Sequence, residues 1–123
     1  MAAEIAVWIK QAEEDFSTAR ANLKMGIYYA SAFFSQQSAE KMLKAIYIKN
    51  NGELAKVHDL VFLARKSEAP KNIIEGCKFL NKAYIETRYP GEFKTAAETF
   101  SKSDAEKCVS IADEVVKWSK TRL

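Results

Sequence analysis

Turn-forming residues are scarce in this 123-residue chain: four glycines and two prolines permit few reversals, so the elements between them must be long. Cysteine and histidine are scarcer still. Cys77 and Cys108 stand alone, without a CxxC spacing, and His58 is the single histidine, so the ligand set of an ordinary zinc site is missing. Both cysteines read as buried, reduced thiols, and no metal or cofactor is expected. Long apolar runs are absent too: no segment approaches the roughly 20 apolar residues that cross a bilayer, and Met1–Lys10 lacks the basic start and apolar run of a signal sequence. The chain is therefore predicted to be cytoplasmic and to have no membrane partner. A glycine-rich phosphate loop, HExxH and GxSxG are all missing, which argues against an ordinary hydrolase or transferase. Nor is charge one-sided. The 19 lysines and arginines are interleaved with 16 acidic residues, giving +3 without the dense basic stripe of a free-standing nucleic-acid binder.

What the chain does have is helical periodicity. Its length suits one domain with a core of its own. Ile5, Trp8, Ile9, Ala12, Phe16, Ala19 and Leu23 recur at helical spacing and predict a first amphipathic helix ending near Met25-Gly26, where glycine can close the helix and reverse the chain. From Tyr28 to about Asn50 apolar residues fall on nearly every side, which marks a central helix. His58-Asp59 precedes a short third helix with Asp59 near its N-cap, stopping by Ser67. Pro70 fits the first turn of a fourth helix whose face runs through Ile73, Cys77, Leu80, Tyr84 and Arg88. A loop follows from Glu92 to Lys102, with room for one helical turn. Ser103-Asp104-Ala105-Glu106 then reads as a capping box opening a last helix through Cys108, Ile111, Ala112, Val115, Trp118 and Arg122. No region alternates as a strand does. The expected fold is all-α: an up-down four-helix bundle with an additional short helix.

Three features could carry chemistry. Gln37, Glu40 and Lys44 fall in one narrow arc of the central helix with Phe33 and Tyr47, and polar groups on an enclosed helix need partners; on a solvated face, Glu40 and Lys44 would instead be an ordinary i,i+4 pair. Arg88 ends the fourth helix, where a cation complements the helix dipole or pairs with Glu40, or where its planar fork can meet a phosphate. His58 stands at a helix entrance, either as a hydrogen-bonding element or as an acid–base group. The reading that joins them places Glu40 and Arg88 in one water-accessible recess.

In order, Trp8, Ala12, Asp15 and Phe16; Tyr28-Tyr29-Ala30-Ser31-Ala32-Phe33-Phe34 leading to Gln37, Glu40-Lys41 and Leu43-Lys44-Ala45; His58-Asp59-Leu60 with Leu63; and Arg88-Tyr89-Pro90 resemble the HEPN family, the higher eukaryotes and prokaryotes nucleotide-binding domain, over nearly the whole chain. The resemblance implies a homodimer and a minimal nucleotidyltransferase as partner protein, in a toxin–antitoxin-like system with a nucleotide or RNA as possible ligand. It adds Lys41 and Tyr89 to Gln37, Glu40, Lys44, His58 and Arg88 as candidate nucleotide- or partner-binding residues. Many relatives are metal-independent ribonucleases with an arginine followed, after four to six residues, by a histidine. Here the corresponding positions are Phe93, Lys94 and Thr95. The intact ribonuclease motif is therefore missing, and a binding module is expected; the alternative is an endoribonuclease toxin that uses Arg88 with His58 as a displaced acid or base. Tyr28, Tyr29 and Phe100 are expected to contribute exposed aromatic surface to a dimer.

Overall fold

A computed structural model describes all 123 residues, and every regular element in it is helical. The helices are α1 (Ala2–Met25), α2 (Tyr28–Asn51), α3 (Leu60–Lys66), α4 (Lys71–Arg88), α5 (Ala96–Thr99) and α6 (Lys102–Lys120). Gly26 takes the left-handed conformation at φ 78° and closes α1, so only Gly26-Ile27 separates it from α2. Gly52, at φ 73°, ends α2 in the same way.

Long helices successive in sequence alternate in direction. Glu13 in mid-α1 meets Lys120 at the end of α6, and Arg88 at the end of α4 lies over Phe33 near the start of α2. Lys49, late in α2, donates to the Arg122 carbonyl just past α6. The expected up-down bundle of four long helices is thus present, with α3 and the single turn of α5 as short additions.

Helix α2 is the axis of the bundle. Ala32, Ala39, Met42, Leu43, Ala45, Ile46 and Ile48 are all buried on it, around its circumference. The main cluster joins Leu43 and Ile46 to Leu60, Leu63, Ile73, Cys77, Leu80, Cys108 and Val115, while Ala12, Met42 and Val116 make a smaller one. Gly76 lets α4 approach α6 closely: a Cβ there would fall 2.7 Å from Ile111 Cγ2.

Some local expectations need correction. The capping box of the last helix is Ser101 with Asp104, not Ser103 with Glu106; Asp104 N–H donates to Ser101 Oγ at 3.1 Å and Ser101 N–H to Asp104 Oδ2 at 3.0 Å. Serines two residues apart each have an acid three residues on, and local pattern alone does not rank them. Pro70 is the N-cap of α4, one residue before the first turn. Phe100 is buried and Tyr28 half-buried, so of the aromatics expected on the surface only Tyr29 is exposed.

Candidate functional site

The polar stripe of α2 does not face solvent. Glu40 and Lys44 are each 6% exposed, so the solvated-pair alternative fails and their charges must be matched internally. Glu40 Oε2 lies 3.0 Å from Lys44 Nζ and 3.0 Å from His58 Nδ1, and Glu40 Oε1 accepts from Gln36 Nε2 at 2.9 Å. Burial on its own would raise the Glu40 carboxyl, but the bonds from Gln36, His58 and Lys44, with the charge of Lys44, outweigh it and hold the group below its ordinary 4.5. The Lys44 ammonium also sits over the Trp8 ring of α1, 5.9 Å from its centroid.

The network continues along α2. Gln37 Nε2 donates to Gln36 Oε1 at 2.7 Å, and Lys41 Nζ donates to Gln37 Oε1 at 3.4 Å. Lys41 itself turns to α1 and forms an ion pair with the buried Asp15. Lys41 therefore ties α1 to α2 at the far end of the polar chain.

His58 is held from three directions. Immediately after it, Asp59 caps α3, its Oδ1 accepting from Val61 N–H at 2.9 Å and Phe62 N–H at 3.3 Å. Asn81 of α4 pins the same turn, donating to Asp59 Oδ1 at 2.8 Å and accepting from Leu60 N–H at 2.8 Å. The imidazole then reaches Glu40 with Nδ1 and stacks on Tyr84 at 5.3 Å between centroids and 21° between planes. An ionised carboxylate only accepts, so Nδ1 carries the proton and, in the neutral ring, Nε2 is left as a lone pair on a side chain that is 59% exposed.

Arg88 shares the Tyr84 ring. Its guanidinium carbon is 4.3 Å from the Tyr84 centroid and 5.0 Å from that of Phe33 on α2, a seat made of two aromatic faces. No carboxylate lies within ion-pair distance of it, so the expected alternative of a Glu40–Arg88 pair is not realised. Glu40 and Arg88 nevertheless belong to one assembly, joined through His58 and Tyr84. Tyr89 stands apart from it: as the C-cap of α4 it is 65% exposed, and Phe93 beyond it is 88% exposed.

Phe33, already placed in the Glu40 arc by helical spacing, completes the site with Gln36, Tyr84, Trp8 and Asn81, and these last four were not singled out for it from the sequence. For two of them a signal existed: Gln36 precedes Glu40, and Tyr84 precedes Arg88, by the four residues that place side chains on one helix face. Chemically, the arrangement presents a fixed cation with free N–H donors beside an oriented imidazole, the equipment to bind an anion and, with a suitable substrate, to move a proton.

Comparison with known proteins agrees with this architecture. The HEPN domain family matches residues 5–122. A protein of Methanocaldococcus jannaschii that carries a toxin designation, MJ1304, is 31% identical over 89% of this chain and 82% of its own length. Among solved structures, TT1696 from Thermus thermophilus superposes with a TM-score of 0.90 at 28% identity, covering 97% of this chain and 98% of its own. ST0689, described as an archaeal HEPN homologue, superposes at 0.81 with 32% identity and 95% coverage of both chains. From the helical order, the buried polar chain on α2 and these likenesses together, the protein belongs to the HEPN domain family.

Proposed function

We propose that this protein is the binding half of a two-component, toxin–antitoxin-like pair, and that its site takes up the phosphate of a nucleotide. The observation that carries the reading is the state of Arg88: a guanidinium seated on Tyr84 and Phe33, with no carboxylate to satisfy it, at the mouth of a network that already neutralises Glu40 and Lys44. Its planar fork matches a phosphate bidentately, and the aromatic seat fixes its direction. The toxin designation of the Methanocaldococcus relative supports the two-component setting. The companion protein is a minimal nucleotidyltransferase, and the active unit is a cytoplasmic homodimer. Exposed Ile85 near the end of α4, with Tyr89 and Phe93 following it in the chain, is the apolar surface assigned to the second copy.

Titration calorimetry with ATP and other nucleotides tests the proposal. Binding should weaken by about tenfold or more in Arg88→Ala, the loss expected for a charge-assisted hydrogen bond. If no nucleotide binds at millimolar concentration and no companion protein co-purifies, the reading falls.

One observation favours a second reading, an endoribonuclease. His58 and Arg88 meet on one tyrosine ring, and the tether from Glu40 fixes which imidazole nitrogen is free, as an acid–base group requires. Incubation with RNA distinguishes the two: cleavage lost in both Arg88→Ala and His58→Ala supports the enzyme, and cleavage unchanged in either removes this site as its source.

A further inference from the structure

Between the C-terminal half of α1 and the length of α6 lies an open groove of about 970 Å³, and none of its lining residues belongs to the Arg88 site. The two helices run antiparallel. They are fastened at one end, where Glu13 Oε2 meets Lys120 Nζ at 3.1 Å. The groove continues to the other end, where Lys24 and Met25 face Lys102, and the Met25 side chain is 71% exposed. Phe16, Leu23, Val109 and Val116 contribute its apolar surface.

Its charge is strongly biased. Arg20, Lys24, Lys102, Lys117 and Lys120 line it against only two carboxylates, an excess of +3 that equals the formal net charge of the whole chain, so the rest of the molecule is neutral in sum. Lys117 and Lys120 are matched by Asp113 and Glu13. Arg20, Lys24 and Lys102 have no carboxylate within ion-pair distance. All three are exposed.

We propose that this groove docks an acidic amphipathic helix of a partner protein, its apolar face on Phe16, Leu23, Val109 and Val116 and its carboxylates on Arg20, Lys24 and Lys102. A long groove between two parallel-sided helices admits a third helix, and apolar floor with cationic rims sets both its face and its sign. A nucleic acid would use the cations and could stack a base on Phe16 or Tyr28, but it would leave Leu23, Val109 and Val116 unmatched, whereas the apolar face of a helix covers all of them. The inference does not depend on what Arg88 binds.

The test uses the full chain labelled with 15N, and a helical peptide of about five turns carrying leucines on one face and glutamates elsewhere. Shifts should concentrate at Ala21, Leu23, Val109 and Val116, and affinity should fall with added salt. Arg20→Glu/Lys24→Glu/Lys102→Glu, all at exposed positions, should keep the circular dichroism of the wild type and weaken binding tenfold or more; Val109→Ser should weaken it as well, while Arg88→Ala should leave it unchanged. The proposal is overturned by equal binding of the lysine version of the peptide, by shifts that map outside the groove, by an oligonucleotide that occupies it in preference, or by a triple variant whose only change is loss of self-association.

Discussion

Removing the Glu40 carboxylate would strand Lys44, a cation with 8% of its side chain exposed. Glu40→Gln should therefore cost about 3 kcal/mol in urea unfolding, because it breaks a buried pair without removing both members. A loss below about 0.5 kcal/mol would mean that Lys44 escapes to water. The same residue gives stability a pH dependence. The folded carboxyl titrates below the ordinary 4.5, so its contribution is fully present above that value and is lost as pH falls from 4.5 through the folded value. The wild-type stability curve should bend down in that window, and Glu40→Gln should flatten it. Arg88→Lys keeps a charge but loses the plane that lies on Tyr84 and Phe33, so nucleotide affinity should drop nearly as far as in Arg88→Ala. At this scale the sequence was partly legible. It exposed Glu40, Lys44, His58 and Arg88 as groups in need of partners, and four-residue spacing accounts for the Glu40 contacts to Lys44 and Gln36 and for Arg88 on Tyr84, yet the remaining partners came from elsewhere. Glu40 meets a histidine 18 residues on, and Arg88 meets a phenylalanine of another helix, distances that no helical period encodes.

Among the elements, the start of α6 offers a direct comparison. Ser101→Ala should lower stability by about 1 kcal/mol through loss of the cap, whereas Ser103→Ala should change it by less than about 0.5 kcal/mol. A larger loss for Ser103→Ala than for Ser101→Ala in thermal melts would return the helix start to Ser103. The α4–α6 contact is tested at Gly76. Alanine normally stabilises a helix interior relative to glycine, but here its methyl group would press on Ile111, whose branched side chain has little rotamer freedom. Gly76→Ala should consequently destabilise by about 1 kcal/mol net, and a stabilised protein would show that the helices separate easily. Element identity was highly legible, since period and stop signals place all four long helices. The exact cap was not, because side-chain geometry chose between serines with equivalent sequence surroundings.

For the molecule as a whole, Cys77 and Cys108 report on opening. Burial is the main reason both thiols are pushed up to about 12, with the charges of Asp59 and Asp104 adding to it respectively. At about pH 8 a thiolate-directed reagent should label them only as fast as the protein unfolds, and rapid labelling of the native state would show a core that breathes locally. The bundle topology followed from the shortage of turns, but the way the long helices bring the site together did not. Phe33 and Glu40 belong to the α1–α2 hairpin, while Tyr84 and Arg88 belong to the α3–α4 hairpin. Each hairpin can form from contacts near in sequence, but His58 on Glu40 and Arg88 on Phe33 require the hairpins to have closed on one another. A partly assembled chain would thus look almost fully helical to far-ultraviolet light and still be unable to hold a ligand, which makes ligand capture a gauge of the last step of folding.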